Sequence, residues 1–432
     1  MLETFFATQN FNIIQFLLVS IGYLLPLPLA YAAYHIWHHY RQERFIAGIK
    51  WVLLEIQVPR DVDKSPAAME LIFSNAFYHR SGKGFWERFI IGAPWFWFSL
   101  EMVSIDGQVH FFIRTPSRVR NLVETQIYGQ YPQAKVLEVD DYTRHVEQFS
   151  KDGNWYVWGC EFTKKNPDFL PIKTWKDFGD EMKTGQKEEF KIDPITPTVE
   201  FLGSMKKGQQ IWIQFIVRQS IKTYKSTRRG GMVGFNEAAE DFIWEFLKPY
   251  TRLQKNDGDD FLGADLRTPD FLKPVIKGLS DNMNQIHFDC GIRVICLSRK
   301  DLITEDEFNN LRRDIRLIYR QYAASSSNEL ERINSTQFDA PWADPTGLAM
   351  AKMKKRMLNY YRERVLFHPP IQYAFDYPSV MSIFFPSYKP QVFVMSLQEM
   401  STLYHFPGMV SETPSFKRIE SKIAKPPSNL PF

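Results

Sequence analysis

The chain has 432 residues, room for two or three domains of ordinary size. Lys plus Arg number 53 against 49 Asp plus Glu, and the resulting net charge of +4 does not by itself mark a nucleic-acid protein. A chain that is 44% apolar and 15% aromatic is too hydrophobic for global disorder, and its three cysteines, Cys160, Cys290 and Cys296, are too few and too widely spaced for a disulfide scaffold or a CxxC zinc site.

Phe11 to Trp37 contains no charged residue. As a helix it is about 40 Å long at 1.5 Å per residue, enough for a hydrocarbon core of about 30 Å. Pro26 and Pro28 are expected to kink it. Glu3 lies ahead of it, and His38, His39, Arg41, Arg44 and Lys50 follow, so the positive-inside tendency places the C-terminal side in the cytoplasm. It lacks the basic n-region of a cleaved signal peptide. The expectation is a single-pass membrane protein, with residues 1–45 as anchor and basic exit, the N-terminus outside and the bulk cytoplasmic.

The body alternates strand and helix signals. Trp51 to Val58 is a strand candidate, and Ser65-Pro66 opens a helix with Met69, Leu71, Ile72 and Phe77 on its apolar side. Trp95 to Ile105, an Asp106-Gly107 turn and Gln108 to Arg114 read as a hairpin. Thr115-Pro116 starts a helix with Val119, Leu122, Val123 and Ile127 at helical spacing, and Ala134 to Val139 closes with a strand. The order β-α-β-β-α-β is that of the split βαβ, or ferredoxin-like, arrangement and defines a first α+β domain at 46–145.

The pattern then partly repeats. Trp155 to Phe162, Gln210 to Arg218 and Ile286 to Leu297 are strand candidates, Pro194 to Leu202 a short helix, and Thr304 to Tyr322 a long helix with Phe308, Leu311, Ile315, Ile318 and Tyr319 on one face. With a last strand at Gln391 to Met395, residues 146–400 read as a second ferredoxin-like domain with insertions near 219–285 and 323–390. The first insertion carries a helix, Asn236 to Leu247. Residues 401–432 combine a short helix over Glu399 to Phe406 with prolines at 407, 414, 426, 427 and 431, which favour an extended connector.

Sites of chemistry are sparse. Gly203 to Gly208 is followed by Gln209 and Gln210 where a phosphate loop needs Lys and Ser or Thr, and no GxGxxG or HExxH occurs. Cys290 and Cys296, six apart on one strand, share a face and read as core cysteines. Asp257, Asp259 and Asp260 lack the spacing of a calcium loop. No catalytic set, metal site or cofactor site emerges, and the expectation is a non-enzyme. Two basic stretches stand out. Lys206, Lys207, Arg218, Lys222, Lys225, Arg228 and Arg229 form the first; Lys352, Lys354, Lys355, Arg356, Arg362 and Arg364, interleaved with Tyr360 and Tyr361, form the second. They suit a solvated face, a docking surface for an acidic partner, or phosphate contact with stacking on single-stranded nucleic acid or anionic lipid.

The tail supplies a resemblance. Leu403, Tyr404, His405, Phe406, Pro407, Gly408, Val410, Thr413 and Pro414, then Pro426, Pro427, Asn429, Leu430 and Pro431, resemble the segment ahead of the ATPase core in bacterial type IV secretion and conjugation proteins with a HerA/FtsK-like or VirB4-like motor, of the kind found in candidate-phyla (Patescibacteria-type) bacteria. Leu54 to Pro59, Pro66 to Met69, Phe98 to Arg114 and Glu124 to Pro132 extend the similarity, with weaker support from Arg293, Val294 and Phe367 to Pro370. The resemblance implies a bacterial inner-membrane scaffold that docks a separately encoded motor ATPase, with Tyr404, His405, Phe406, Pro407, Gly408, Pro414, Pro426, Pro427 and Leu430 as docking residues. The alternative is a membrane-tethered component that guides single-stranded DNA through Lys222, Lys225, Arg228, Arg229 and the Lys352 to Arg364 stretch. Membrane lipid through the N-terminal helix, a homo-oligomer and nucleic acid are the further candidate partners.

Overall fold

A computed structural model describes residues 25–59, 64–78, 83–150, 152–180, 193–248, 251–255, 261–266, 272–324, 328–337, 344, 346–370 and 390–408. The chain divides into two compact units. A helical unit takes Met1–Ile49, Ser81–Trp95 and His368–Tyr377; an α+β body takes Lys50–Arg80, Phe96–Phe367 and Pro378–Phe432.

The helical unit is built on α1 (Pro26–Ala47), which has Pro in its first turn and carries Arg41, Glu43 and Arg44 before it ends. This corrects the first expectation. Proline fits the first turn of a helix, where its missing N–H costs nothing, and Pro26 and Pro28 lie in the first turn of α1. The uncharged part of α1, from Pro26 to Trp37, is about 18 Å long, well short of about 30 Å. Among the described residues no helix is long and apolar enough to cross a membrane. Residues 11–24 of the expected span lie outside the described residues. The single-pass inner-membrane placement, the membrane-anchored scaffold and its tethered DNA-guiding alternative therefore lose their basis.

In the body, β1 (Trp51–Gln57), α2 (Ala67–Ile72, continued as a π-helical turn at Phe73–Phe77), β2 (Phe98–Ile105), β3 (Gln108–Pro116), α3 (Arg120–Gln130) and β4 (Lys135–Val139) form the first half. Asp106 and Gly107 both have positive φ, 54° and 84°, as the tight hairpin between β2 and β3 demands. The second half contains β5 (Trp155–Lys164), α4 (Trp175–Asp180), α5 (Thr196–Gly203) and β6 (Gln209–Gln219). An insertion follows with the ribbon β7 (Tyr224–Ser226) and β8 (Gly231–Val233), α6 (Phe235–Leu247), the ribbon β9 (Thr251–Lys255) and β10 (Phe261–Leu266), and α7 (Lys273–Met283). The half resumes with β11 (His287–Arg299), α8 (Glu305–Ile318) and β12 (Leu330–Ile333), and the described chain ends through α9 (Leu348–Glu363), β13 (Phe393–Ser396) and α10 (Leu397–Leu403).

Two separate ferredoxin-like domains are not what these elements build. They join in one nine-stranded sheet of order β12-β5-β11-β6-β2-β3-β1-β4, with β13 beside the start of β11, and every neighbouring pair is antiparallel. Each half keeps the spatial order 4-1-3-2. The seam is the pairing of β2 with β6, from Phe98 opposite Val217 to Ile105 opposite Gln210. Strand periodicity is blind to such a partner, because it reports which face is buried and not which edge is paired.

One face of the sheet buries the main core. Leu54, Ile56, Leu100, Phe111, Cys160, Ile213, Phe215, Ile292 and Val294 meet Met69, Ile72, Val123, Ile127, Val199, Leu202, Leu311 and Ile315 from α2, α3, α5 and α8. The C-terminal connector is the last correction. Ser396 caps α10 through a reciprocal pair with Glu399, and Tyr404 and Phe406 belong to this same core. The extended part of the expected strap lies beyond Gly408, outside the described residues, as does the Asp257–Asp260 loop.

Candidate functional site

The second face of the sheet is where charge collects. Register places Glu55 of β1 opposite Phe112 of β3, Phe112 opposite Glu101 of β2, Glu101 opposite Gln214 of β6, Gln214 opposite Arg293 of β11 and Arg293 opposite Glu161 of β5. A single row across six strands thus holds five polar side chains. Because paired residues share a face, the other row members point with Phe112 away from the main core. Glu101, Gln214, Arg293 and Glu161 are all buried.

α9 and the residues after it cover this row. Met357, Leu358, Tyr360 and Tyr361 are buried beneath the helix, and Trp212 packs on Tyr361 at 5.3 Å between ring centroids. A Cβ on Gly159 would stand 2.5 Å from Met357 Sδ, and one on Gly291 2.5 Å from Leu366 Cδ2, so a side chain at either position would have to displace these flexible tips. Arg364, in the left-handed region at φ 55°, ends α9 and drives its guanidinium inward.

Glu101 accepts bonds from Arg364 Nε at 2.9 Å and Nη2 at 3.1 Å, from Ser99 at 2.5 Å, from Tyr142 at 2.7 Å and from Gln214 at 3.2 Å. Burial alone would push its carboxyl up. The Arg364 charge, aided by these donors, holds it below the ordinary carboxylate range. Asp141, which also pairs with Arg364, is held low in the same way against its own burial. Further along, Arg293 donates to Glu161 from Nε at 3.0 Å and Nη2 at 2.7 Å, and Asn334 donates to the other Glu161 oxygen at 2.8 Å. At the β1 end His110 Nδ1 meets Glu55 at 2.7 Å. Arg114 lies 4.4 Å above the Trp51 ring. Burial, and then the Arg364 charge, bring it down to about 9 against the pull of Glu101 and Asp141.

This network is closed on itself. It orients α9 and Arg364, and Glu101, Gln214, Arg293, Glu161 and Arg364 are all buried. An internal gap on the other face, lined by Leu100, Phe215, Cys290 and Tyr404, has no room for a water molecule. Among the described residues no group of three His, Cys, Asp or Glu side chains could hold a metal ion. The three thiols are buried and unbonded to one another, and burial pushes those of Cys290 and Cys296 up, away from the reactive thiolate.

The basic stretches are distributed differently from their sequence spacing. Lys222 pairs with Asp168, Arg228 with Asp241 at 3.8 Å, and Arg229 with Glu240 and Asp241. The acidic side of α6 thereby offsets the charge of the ribbon, and Lys225 stays exposed. In the second stretch Lys352 and Lys355 are exposed, but Arg356 is buried, Arg362 donates to the Val146 and Glu147 carbonyls, and Arg364 is the inward guanidinium just described. Lys354 lies 5.7 Å from the Phe149 ring and is pushed down by burial, with Arg312 beside it. Tyr360 and Tyr361 are buried, so neither offers a free ring face for stacking.

Of the docking residues, Tyr404 donates to the Phe112 carbonyl at 3.1 Å and Phe406 packs 5.2 Å from Tyr131. His405 is held between the Ser401 carbonyl and Asp193, whose second oxygen receives the Gly408 N–H at 3.2 Å. Tyr404, His405, Phe406 and Pro407 are therefore interior residues of the body. Pro414, Pro426, Pro427 and Leu430 lie outside the described residues.

The surface that remains open is on the helical unit. No residue of α1 is buried. Leu27 is 71% exposed and Tyr31 68%; on the neighbouring helical turn Trp86–Ile91 and just before it, Phe85 is 67% and Trp86 69% exposed. More than half of the exposed large apolar side chains of the described residues belong to this small unit. The turn is fixed against the C-terminal part of α1 by His38 Nε2, 2.9 Å from the Arg88 carbonyl, and by Arg41 Nε, which donates to the Ile90 carbonyl at 3.3 Å.

The sequence reading missed the buried row. Its signal was present: a charged or amide residue in mid-strand, Glu101 in SLEMVSI and Gln214 in QIWIQFIVR. Comparison with protein-family models, with curated proteins and with solved structures finds no match for this chain.

Proposed function

We propose that this chain is an interaction module, in which the α+β body is a sealed platform and the helical unit is the surface that engages a protein partner. The observation that carries the reading is the concentration of exposed Leu, Tyr, Trp and Phe on α1 and the Trp86–Ile91 turn, set against a body whose two sheet faces are both covered. Large exposed apolar side chains gathered on one small unit point to an interaction site. Tyr and Trp are also the residues that dominate interface energetics.

The test is sedimentation of the full chain from gently lysed cells of its source. The wild-type protein should migrate in a complex larger than its own 50.8 kDa. A variant carrying Leu27→Glu, Tyr31→Glu and Trp86→Glu should fall back to that mass while keeping the thermal unfolding of the body. A wild-type chain that sediments alone, or a variant that keeps the complex, refutes the proposal.

A further inference from the structure

The last described residues of the chain meet the body at one polar contact. His405 is buried, and each of its ring nitrogens faces an oxygen. Nδ1 lies 2.8 Å from the Ser401 carbonyl, and Nε2 lies 2.6 Å from Asp193 Oδ1. A carbonyl accepts and cannot donate. Asp193, just ahead of α5, already accepts two backbone N–H groups, from Ile195 at 3.1 Å on Oδ1 and from Gly408 at 3.2 Å on Oδ2. Such donors favour the ionised carboxylate, which has no proton to give. A neutral imidazole has one donor and one acceptor nitrogen, so it would set a lone pair against one of these two oxygens. We infer that His405 carries both ring protons, as a buried imidazolium, and that the second proton closes a clasp holding Tyr404 to Gly408 on the body.

The surroundings agree with a positive ring. Burial alone pushes the Asp193 carboxyl up; the His405 charge, its hydrogen bond and the two backbone donors hold it below the ordinary carboxylate range. The titratable groups on the neighbouring elements are acids. Tyr131, at the end of α3, has its hydroxyl pushed up by burial and by the Asp193 charge. Tyr322, after α8, donates to the Pro194 carbonyl at 2.8 Å. Glu70 of α2 accepts from the Ser401 hydroxyl at 3.3 Å. On α10 itself Glu399 is paired with Lys164 at 2.7 Å. The proton-bound ring is the closed form, so the clasp weakens as rising pH removes one ring proton. That loss leaves the shielded Asp193 carboxylate without its compensating charge, the costly way to break an ion pair.

The experiment uses the full chain with its histidines labelled in the heavy nitrogen isotope, and a His405→Gln spectrum assigns the signal. At neutral pH both His405 ring nitrogens should appear protonated in the magnetic resonance spectrum. In Asp193→Asn the new amide can donate to the ring, so one ring proton should remain and the body should stay folded. Hydrogen exchange reads the clasp itself. At one fixed pH the amides from Tyr404 to Gly408 should exchange about tenfold faster or more in His405→Gln, the factor expected for one lost hydrogen bond to a charged group. The amides of β11 should keep their wild-type rates. In the wild type, raising the pH until the ring gives up a proton should speed the 404–408 amides beyond the intrinsic rise, and Asp193→Asn should lack that step. Three results overturn the inference: a wild-type ring with one proton at neutral pH, unchanged exchange over 404–408 in His405→Gln, or two ring protons kept in Asp193→Asn.

Discussion

Replacing Arg364 by Met probes the buried row directly. Met keeps most of the volume but removes the guanidinium that bonds Glu101 through two nitrogens and pairs with Asp141, and both Arg364 and Glu101 are fully shielded from water. Glu101 would keep Ser99, Tyr142 and Gln214 as donors but lose its compensating charge. Breaking one side of a buried ion pair costs about 3–5 kcal/mol. At about 2 °C per kcal/mol for a large domain, thermal unfolding of the body should drop by roughly 6–10 °C. The exposed pair Arg299–Asp301 is the control, and Arg299→Ala should leave the thermal unfolding essentially unchanged. Adding Glu101→Gln to the Arg364→Met variant removes the stranded charge and should restore part of the loss. The assay is thermal unfolding followed by circular dichroism and tryptophan fluorescence. A cost below about 1 kcal/mol for Arg364→Met, or no recovery on adding Glu101→Gln, would refute the assignment of a closed charge network.

Three further outcomes are expected. Cys160, Cys290 and Cys296 should stay silent to a thiol-specific disulfide reagent in the folded chain and react together after denaturation, since all three are buried. Burial pushes His287 down to about 4, with Nε2 at 2.9 Å from the Asn282 carbonyl; between the ordinary value of about 6.5 and 4 the unfolded chain takes a proton that the folded one refuses, so stability falls as pH drops through this window, and His287→Gln should flatten that slope in thermal scans. Tyr404→Ala should cost about 3–5 kcal/mol in chemical denaturation as a core truncation, whereas a loss below about 1 kcal/mol would place Tyr404 outside the core.

Local order was legible because local chemistry decides it. The Asp106-Gly107 turn needs two positive φ angles, and the dipeptide that tolerates them stands there. The helix over residues 305–318 shows its apolar face at helical spacing and starts at a Thr304–Glu307 capping box. Long-range pairing was not legible. The β2–β6 seam joins residues more than a hundred positions apart, and nothing in either strand names the other. The same distance hid the fate of the basic residues: Arg364 reads as surface charge until the fold brings Glu101, 263 positions away, against it. The N-terminal segment misled for a third reason. Hydropathy counts apolar residues, but Pro26 and Pro28 lie in the first turn of the helix, and Arg41 to Arg44 lie inside the same helix rather than after it.

The measurement that bears most directly on the account is a photo-crosslinking scan in living source cells. A photoreactive phenylalanine analogue would replace Tyr31 or Trp86 on the helical unit, and Leu122 or Leu317 on the body, each in the full chain; all four side chains are exposed. The account predicts discrete protein adducts from positions 31 and 86 and none from 122 and 317. Adducts of equal yield from all four positions, or from the body alone, would contradict it.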